Sequence, residues 1–419
     1  MQKKCIWIIN EYAGSPYHGM EFRHYYLGKE LIKRGYKVYI ITASYSHLLR
    51  NPKNLKGNVE TENINGVNYV WIKVRKYNNS FSVGRLLKWL QFSFKLYHYL
   101  KSNFIEKLNI SRPNYIITST PEIFHLIPSR NLAKFYSAKF IYEVRDIWPL
   151  SLIEIGNLSP RNPLILLMNF IEKQTYKFAD GVISLLPNFE DYIKENKINI
   201  SKLEIIPNGI SLEELKNIEN EDISDLLSFV PKNKFTIAYA GNFGVANALD
   251  TLIEAAKLLN DKKNIHFILI GKGPEEKKLK ELVKNYKLNN ISFLPPQPKR
   301  KVLKFLKEYV NICYIGLKKK SIFKFGVSPN KLFDYMFVEK PIIWSISSAN
   351  KPVDEAKCGI SVEAENPKEV VKAILKLYSL PKDKLLEMGR NGKQYLLKYH
   401  TYDKLADKLE RFLVDIDKS

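Results

Sequence analysis

Residues 325–336 (FGVSPNKLFDYM) are the part of this chain whose residue types and spacing are best suited to chemistry. Ser328 and Pro329 predict a helix start, because serine caps a helix and proline fits its first turn. Backbone amides at a helix start bind phosphate oxygens. Lys331 adds a positive charge, and Asp334, one turn later, can accept hydrogen bonds from two neighbouring sugar hydroxyls. The segment therefore suits a nucleoside diphosphate-sugar, although an ordinary capped helix is the alternative.

The composition is that of a globular protein with two or three domains: 419 residues, 45% of them hydrophobic and 26% charged. The three cysteines, Cys5, Cys313 and Cys358, lie too far apart for a metal motif or a disulfide framework, which favours a reducing, cytoplasmic compartment. No stretch reaches the roughly 18 apolar residues of a spanning helix. The apolar run at residues 5–9 is too short for a signal peptide and predicts a buried first strand.

The net charge of +23 indicates either an anionic partner or many solvated basic faces. The sequence has no zinc-finger spacing, no basic region leading into heptads and no aromatic RNA-binding strand, so nucleic acid is not an expected partner. Residues 83–101 are apolar, aromatic and basic without an acidic residue, a composition typical of a helix at the surface of an anionic membrane. The alternative is a core helix whose lysines reach outward to solvent.

Apolar strands alternate with helical patterns along two stretches, which predicts two α/β domains with parallel sheets covered on both faces. The predicted domains are 1–205 and 206–400, and a last helix within 402–419 is expected to join the first domain. Polar residues 213–233 are interpreted as a linker. Because both series have glycine-rich loops at strand ends, we expect two facing, doubly wound domains with a ligand in the cleft between them.

Other residues, at these strand ends and elsewhere, limit the kinds of reaction that the chain can catalyse. Asp146 follows a predicted strand and precedes an aromatic residue, where a carboxylate can orient a sugar hydroxyl or take its proton. Arg145 faces the same site or pairs with a core carboxylate. The seven histidines lack metal-ligand spacing, and the single Asp-x-Asp pair, Asp415 and Asp417, lies in the tail, so no metal cofactor is expected. The sequence has no Gly-x-Ser-x-Gly motif and no Walker lysine loop, which disfavours hydrolase and kinase functions.

Along nearly its whole length the chain resembles the retaining, GT-B-fold glycosyltransferases of sequence family four. The resemblance is strongest to the bacterial subgroup that builds cell-surface polysaccharides and includes amino-sugar transferases such as fucosamine transferases. The motifs that carry it follow the family's order: 12–16 (YAGSP) with 19–23 (GMEFR), 142–149 (YEVRDIWP), 206–209 (IPNG), 241–244 (GNFG), 271–274 (GKGP) and 326–336 (GVSPNKLFDYM).

The resemblance implies retaining transfer of a hexosyl or N-acetylhexosaminyl group from a nucleotide diphosphate-sugar, with UDP as the expected nucleotide. The expected acceptor is a glycan or lipid-linked sugar, used for O-antigen or capsule synthesis at the inner face of the cytoplasmic membrane. The expected catalytic residues are Asp146 and Lys331. The residues expected to bind the donor are Gly19, Asn208, Asn242, Gly244, Gly271, Gly326, Val327, Ser328, Asn330, Lys331, Leu332 and Asp334. Those expected to contact the acceptor or the sugar are Glu21, Arg23, Arg145 and Asp146.

Two departures from the family pattern concern the donor site. The first acidic position of the family's Glu-x7-Glu signature falls on Gly326, while Asp334 takes the second, which holds the ribose hydroxyls. The arginine and lysine that usually neutralise the diphosphate fall on Asn242 and Asn247, which are uncharged. A departing diphosphate needs cations or amides to stabilise it. We therefore expect Lys331 and the amides of residues 326–331 to do so.

Two other functions fit the same residues. A nucleotide-sugar epimerase of the same architecture would bind the UDP-sugar and convert it without an acceptor, since a fold does not fix a function. A non-enzymatic basic protein would bind membrane or nucleic acid with a steep salt dependence and leave nucleotide sugars intact.

Overall fold

The computed structural model describes residues 4–19, 22–77, 82–101 and 104–418. The chain divides into two compact units, Met1–Asn208 with Tyr402–Ser419, and Gly209–Thr401. Each unit is built on a largely parallel sheet, and the predicted α/β class is confirmed. Along the described residues, no helix combines the length and the apolar character that crossing a membrane requires.

The first unit has an eight-stranded sheet. Its strands are β1 (Cys5–Ile9), β2 (Lys37–Ala43), β3 (Val59–Ile64), β4 (Val67–Ile72), β5 (Tyr115–Ser119), β6 (Lys139–Val144), β7 (Gly181–Ser184) and β8 (Leu203–Ile205). Their order is β3-β4-β2-β1-β5-β6-β7-β8, and only the β3–β4 pair is antiparallel. All five residues of β1 are buried, as a central parallel strand covered on both faces requires.

The helices that cover this sheet alternate with its strands. They are α1 (Arg23–Lys33), α2 (Val83–Leu100), α3 (Phe104–Lys107), α4 (Leu126–Tyr136), α5 (Leu150–Glu154), α6 (Pro163–Phe178) and α7 (Phe189–Glu195). After α1, Gly35 has a φ of 90°, a left-handed conformation that favours glycine just past a helix end.

A buried ion pair at the start of α1 also binds the segment where the chain leaves the first unit. Arg23 Nε lies 3.0 Å from Oε1 of Glu143, which is in β6. The two Nη groups of Arg23 donate to the carbonyls of Pro207 and Ile206, at 2.7 and 2.8 Å. One guanidinium therefore holds Ile206 and Pro207, just before the chain leaves the unit, against the carboxyl edge of its sheet.

The same carboxylate accepts two further hydrogen bonds. His24 Nε2 and Ser119 Oγ each lie 2.6 Å from Glu143 Oε2. The side-chain nitrogen of Asn10, Nδ2, lies 3.2 Å from His24 Nδ1. Because Nδ2 can only donate, His24 Nδ1 accepts, and His24 Nε2 carries the proton that points at the Glu143 carboxylate. Although burial raises the pKa of Glu143, its contacts with Arg23 and His24 outweigh burial and hold that pKa well below its usual range.

The second unit has a six-stranded sheet in which every pairing is parallel. Its strands are β9 (Phe235–Ala240), β10 (Ile265–Ile270), β11 (Ile291–Leu294), β12 (Ile312–Gly316), β13 (Ile342–Ser345) and β14 (Gly359–Val362), in the order β11-β10-β9-β12-β13-β14. Its helices are α8 (Leu249–Leu258), α9 (Glu276–Asn285), α10 (Lys299–Tyr309), α11 (Asn330–Phe337), α12 (Pro352–Glu355), α13 (Pro367–Tyr378) and α14 (Lys382–Tyr399).

The last helix, α15 (Tyr402–Asp417), belongs to the first unit. Its residues Leu405, Leu409 and Phe412 are buried in a core that also contains Tyr25 and Leu31 of α1. The chain therefore leaves the first unit at Asn208 and returns to it for its last helix.

Residues 213–233 are not a linker, which corrects the prediction from sequence. Four of their apolar side chains are buried in the core of the second unit: Leu215, Ile218, Ile223 and Leu226. Their acidic side chains pair with basic residues of α10, as in Arg300–Glu221, Lys301–Asp225 and Lys307–Glu219. The stretch is polar because it neutralises a basic helix.

We expect Glu143→Gln to lower the free energy of unfolding by about 3–5 kcal/mol, because the change leaves the buried Arg23 guanidinium without its counter-charge. Because the folded pKa of Glu143 is depressed, this stabilisation is present above the unfolded carboxyl pKa, about 4.3, and is lost as the pH falls through the folded pKa. Urea unfolding at several pH values measures both effects.

Glu190→Gln is the matched control, because Glu190 pairs with Lys194 on an exposed face of α7. Its loss should change the free energy of unfolding by less than about 1 kcal/mol. Equal, small effects of the two changes would contradict the assigned role of Glu143.

Candidate active site

The loops after β9 and β12 meet at the point where the second sheet changes its winding direction. These strands are neighbours, but from β9 the sheet continues to β10 on one side, and from β12 to β13 on the other. Loops that diverge in this way leave a crevice at the carboxyl edge, where open α/β sheets bind ligands. The loop after β9 is the glycine-rich loop 241–244. The loop after β12 is the segment 317–329, which leads into α11. Two motifs that are distant in sequence therefore become neighbours.

Lys331, in the first turn of α11, lies across the end of β9. Its Nζ is 2.8 Å from the Tyr239 hydroxyl, 3.0 Å from Asn247 Oδ1 and 4.3 Å from the centre of the Tyr239 ring. The Tyr239 hydroxyl and Asn247 Nδ2 both donate to the Asn242 carbonyl, at 2.7 and 3.1 Å. These four residues form one hydrogen-bonded cluster at the start of the 241–244 loop.

Among the described residues, both hydrogen-bond partners of the Lys331 ammonium are neutral. Burial lowers the pKa of Lys331 to about 7, against a smaller opposing effect of Asp334 on the same helix. The charged form is therefore short of stabilisation. An anion bound beside Nζ would supply what is missing.

The loops after β9 and β10 interlock, and glycine is what allows this. Gly271 has a φ of +143°, and a Cβ on it would lie 1.9 Å from the Gly241 carbonyl oxygen. A Cβ on Gly273 would lie 2.5 Å from the Phe243 carbonyl oxygen. Gly244, in contrast, has an ordinary φ of −91°. Gly271 thus has a packing role besides the donor contact predicted for it.

The start of α11 differs from the prediction. The helix begins at Asn330, which is exposed, and Pro329 is its N-cap, with an extended ψ of 134°. Ser328 therefore precedes the cap position, and no side chain caps the helix. Leu332 is buried in the core, and its backbone amide donates to the Pro329 carbonyl at 3.1 Å.

Two backbone amides that were predicted to bind phosphate already donate hydrogen bonds to other groups of the protein. The Val327 amide donates to Asn350 Oδ1, and the Gly326 amide donates to the Phe323 carbonyl, both at 3.0 Å. Gly326 has a φ of 90°, which explains the glycine at this turn. The amides better suited to an anion are those of Asn330 and Lys331, the first two residues of α11, because amides at a helix start lack a carbonyl partner one turn earlier.

Asp334 lies one turn beyond Lys331 and forms an ion pair across to α10. Its Oδ1 is 3.1 Å from Lys299 Nζ, which is also 3.5 Å from Glu214 Oε2. Burial raises the pKa of Asp334, Lys299 lowers it and Glu214 raises it. The carboxylate predicted to hold ribose hydroxyls is therefore subject to two charges of opposite sign.

In the first unit, the loop after β1 packs closely against the backbone of Leu48 and Arg50. Gly19 has a φ of +117°, and a Cβ there would lie 2.6 Å from the Arg50 amide nitrogen, so the loop needs glycine at this position. Glu21, predicted to contact the acceptor, lies outside the described residues.

Arg23 does not present its charge to a ligand, which corrects the prediction. Its side chain is buried and bound to Glu143 and to two backbone carbonyls. Asn208 is also nearly buried, and it directly follows Pro207, whose carbonyl Arg23 holds.

Arg145 and Asp146 follow β6, at the carboxyl edge of the first sheet. Their backbone amides donate to Thr120 Oγ1, at 2.9 and 3.4 Å, which joins the loops after β5 and β6. Asp146 is exposed and Arg145 is half-buried. Asp146 therefore lies at the surface of the unit, and its contact with an acceptor stays a prediction.

Helix α2 is fastened to the loop after β1 by its basic side chains. Lys88 and Glu11 are fully buried and form an ion pair at 2.8 Å. The Tyr12 hydroxyl accepts from Trp89 Nε1 at 2.8 Å and from Arg85 Nε at 3.0 Å. The sequence offered an outward-reaching lysine as one alternative, but Lys88 points into the unit.

Three site residues gave no signal in the sequence. Tyr239 lies in a buried apolar strand, where an aromatic residue is ordinary. Lys299 opens a helix rich in basic residues, and Glu214 lies in the supposed linker. Across the described residues, no three His, Cys, Asp or Glu side chains gather as metal ligands. The absence of a metal cofactor stays a prediction.

Two family profiles match the chain. Glycosyltransferase Family 4 matches residues 17–214, and Glycosyl transferases group 1 matches residues 227–395. The chain is 27% identical over 251 residues to an uncharacterized glycosyltransferase of Methanocaldococcus jannaschii, covering 58% of this chain and 60% of that protein. It is 24% identical over 279 residues to the putative colanic acid biosynthesis glycosyl transferase WcaI of Escherichia coli, covering 65% of this chain and 68% of WcaI.

Solved structures share the fold at low sequence identity. Sucrose-phosphate synthase from Thermosynechococcus elongatus has a TM-score of 0.75 at 16% identity, over 99% of this chain and 100% of that one. Anabaena HepE, in complex with UDP and glucose, has a TM-score of 0.67 at 12% identity, over 98% and 99%. These structures establish the fold alone. Since the two family profiles match both units and the structural neighbours share the fold, the chain is a glycosyltransferase of the GT-B fold.

Proposed function

We propose that this glycosyltransferase moves a hexosyl or N-acetylhexosaminyl group from a UDP-sugar to a lipid-linked or glycan acceptor, with retention of configuration, in the synthesis of a bacterial surface polysaccharide. The choice of UDP is supported by HepE, which was solved with UDP and glucose. The choice of pathway is supported by WcaI, which is named for colanic acid biosynthesis.

The observation that carries the proposal is the Lys331 ammonium, held among neutral partners at the carboxyl edge of the second sheet. Negative charge grows on the diphosphate as its bond to the sugar breaks, and a poorly solvated cation stabilises that charge strongly. Asn242 and Asn247 are uncharged. Lys331 and the first-turn amides of α11 therefore supply the stabilisation.

The proposed reaction is a front-face displacement. The acceptor oxygen forms a bond to the anomeric carbon on the side from which the diphosphate departs. The bond from that carbon to the diphosphate oxygen breaks with its electron pair, and the acceptor proton passes to the departing diphosphate. Asp146 orients the acceptor hydroxyl. No metal ion is required, because Lys331 offsets the charge, and no carboxylate nucleophile of the kind used in double displacement is assigned.

We expect Lys331→Ala to lower kcat by about 100-fold or more, the usual effect of removing one group that stabilises developing charge. Because the pKa of Lys331 is about 7, the UDP affinity of the parent enzyme should fall as the pH rises from about 6 to about 8. The variant should not show this fall. Initial rates and titration calorimetry at both pH values measure these quantities.

Lys372→Ala is the matched control, since Lys372 is an exposed lysine of α13 that pairs with Glu369. Near-normal turnover and donor affinity in Lys331→Ala would contradict the proposed role. Conversion of the donor sugar to its epimer without an acceptor would instead favour an epimerase.

We also propose that the enzyme works at the anionic inner face of the cytoplasmic membrane, with the surface of α2, α4 and α6 as its docking face. Val83, Leu87, Leu90 and Phe94 of α2 are 73, 41, 45 and 72% exposed and recur at helical spacing, so they form one apolar stripe. Helix α4 contacts both α2 and α6. Further exposed apolar residues on those two helices are Ile127, Phe135, Leu166, Leu167 and Phe170.

The charges of this face favour an anionic partner. Helices α2 and α4 contain no acidic residue. The one acidic residue of α6, Glu172, is buried and bonded to Tyr176. Exposed Lys134, Lys173 and Lys177 lie beside the apolar side chains. Apolar side chains flanked by cations suit the interface of an anionic bilayer.

We expect the double change Leu90→Glu/Phe94→Glu to weaken binding to vesicles of phosphatidylglycerol and phosphatidylethanolamine by about tenfold or more, because two side chains lose their apolar burial. Vesicle cosedimentation measures this. Leu258→Glu is the control, because Leu258 is equally exposed on α8 of the second unit. Vesicle binding unchanged in the double variant, or equally weak in the control, would contradict the docking face.

A further inference from the structure

Asp334 is one of two carboxylates that share a single lysine. Lys299 Nζ lies 3.1 Å from Asp334 Oδ1 and 3.5 Å from Glu214 Oε2, so one ammonium lies between the two acids. The side chains of Asp334 and Glu214 are each 20% exposed, which limits how far solvent can screen them. This inference rests on the proposed function, because it concerns how Asp334 meets the donor.

The neighbours of Lys299 fix the geometry of this group. Lys299 is the first residue of α10, and the next residue, Arg300, donates to the Glu214 carbonyl at 2.5 Å and to Glu221 Oε1 at 2.5 Å. The backbone of Glu214 is thus bound to α10, the helix that carries Lys299. The arrangement is built into the packing of the 213–233 stretch.

The charges around Asp334 show what Lys299 contributes. Lys299 of α10 faces the carboxylate from one side, Glu214 adds a second negative charge, and Lys331 lies one turn away on the same helix. Burial and Glu214 both favour the protonated acid, whereas Lys299 is the stronger of the two cations that oppose them. Without Lys299, two partly buried acids would be left near each other, an arrangement in which one takes up a proton.

Protonation would change what Asp334 can bind. An ionised carboxylate accepts hydrogen bonds at both oxygens, while a protonated one also carries a donor hydroxyl. The two neighbouring hydroxyls of a ribose both need an acceptor. The ionised form therefore accepts from both more strongly, with one oxygen available for each hydroxyl.

We propose that Lys299 is a positioning residue for the donor nucleotide: it keeps the Asp334 carboxylate ionised and oriented, so that both ribose hydroxyls can donate to it. Lys299 does not itself take part in the sugar transfer. It acts through Asp334, and Glu214 fixes the lysine in place.

The test compares the affinities of UDP and 2′,3′-dideoxy-UDP, measured by titration calorimetry at pH 6 and pH 8.5. Their ratio reports the contribution of the ribose hydroxyls and cancels the pH effect of Lys331 on the diphosphate. In the parent enzyme we expect UDP to bind at least about tenfold more tightly at both pH values, as hydrogen bonds to a charged group would give.

In Lys299→Met we expect this ratio to fall to within about threefold at pH 6 and to recover at pH 8.5, as Asp334 ionises. Lys299→Arg should restore the parent ratio at both pH values. Lys301→Met is the control, because Lys301 lies on the same helix and pairs with Asp225 instead. It should leave the ratio unchanged, and the melting temperatures of all variants identify any that fail to fold.

A Lys299→Met enzyme with the parent ratio at both pH values would overturn the inference while leaving the proposed function intact. An affinity ratio that falls equally at both pH values in Lys299→Met, and that Lys299→Arg does not restore, would also overturn the inference. Such a result would indicate that Lys299 has a structural role alone. A parent enzyme that binds no UDP would remove the proposed function as well.

Discussion

The contact of Lys331 with Tyr239 and Asn247 is the interaction on which the site in the second unit depends. It joins the start of α11 to the end of β9, 92 positions earlier in the chain. Its partners are neutral, so the contact places a positive charge without cancelling it. A lysine held by a carboxylate at this position would already be satisfied and would stabilise a departing diphosphate less.

The first unit uses its buried charges differently. Arg23 with Glu143, and Lys88 with Glu11, are ion pairs in its interior, but only the first has hydrogen-bond geometry. Such pairs cost desolvation, and their value lies in the positions that they fix. One holds the chain as it leaves the unit, and the other holds α2 against the loop after β1. Because Lys88 faces inward and Arg85 binds the Tyr12 hydroxyl, α2 is left with an apolar outer stripe.

Much of the fold follows from the sequence, because a buried parallel strand is a short, nearly continuous apolar run between turn signals. The strands β3, β8 and β14 do not show this pattern, because they lie at sheet edges and are only partly buried. Residues 213–233 were misinterpreted because their apolar side chains are sparse among acids whose partners lie on α10. That pairing is tertiary, and no local pattern reports it.

The site, too, could be predicted only in part, because local sequence patterns do not report tertiary contacts. Lys331 and Asp334 lie in a motif with a glycine turn and a helix start, both of which are local signals. Lys299 was missed because a lysine in a basic helix has no distinguishing pattern until its partner is known. Arg23 was assigned to a ligand because a sequence does not show that Glu143, 120 residues later, takes its charge. Ser328 failed as a cap because the backbone places Pro329 at that position.

The most direct test of the central claim is the thermal stability of the full chain with UDP, GDP, ADP, dTDP or CDP, each with and without magnesium. A ligand that binds the folded state stabilises it by mass action, by about 2.7 kcal/mol at 100 times its Kd. We expect UDP alone to raise the Tm, without a need for magnesium, and Lys331→Ala to lose this rise. No rise with any of the five nucleotides would show that the second unit has no nucleotide site at Lys331.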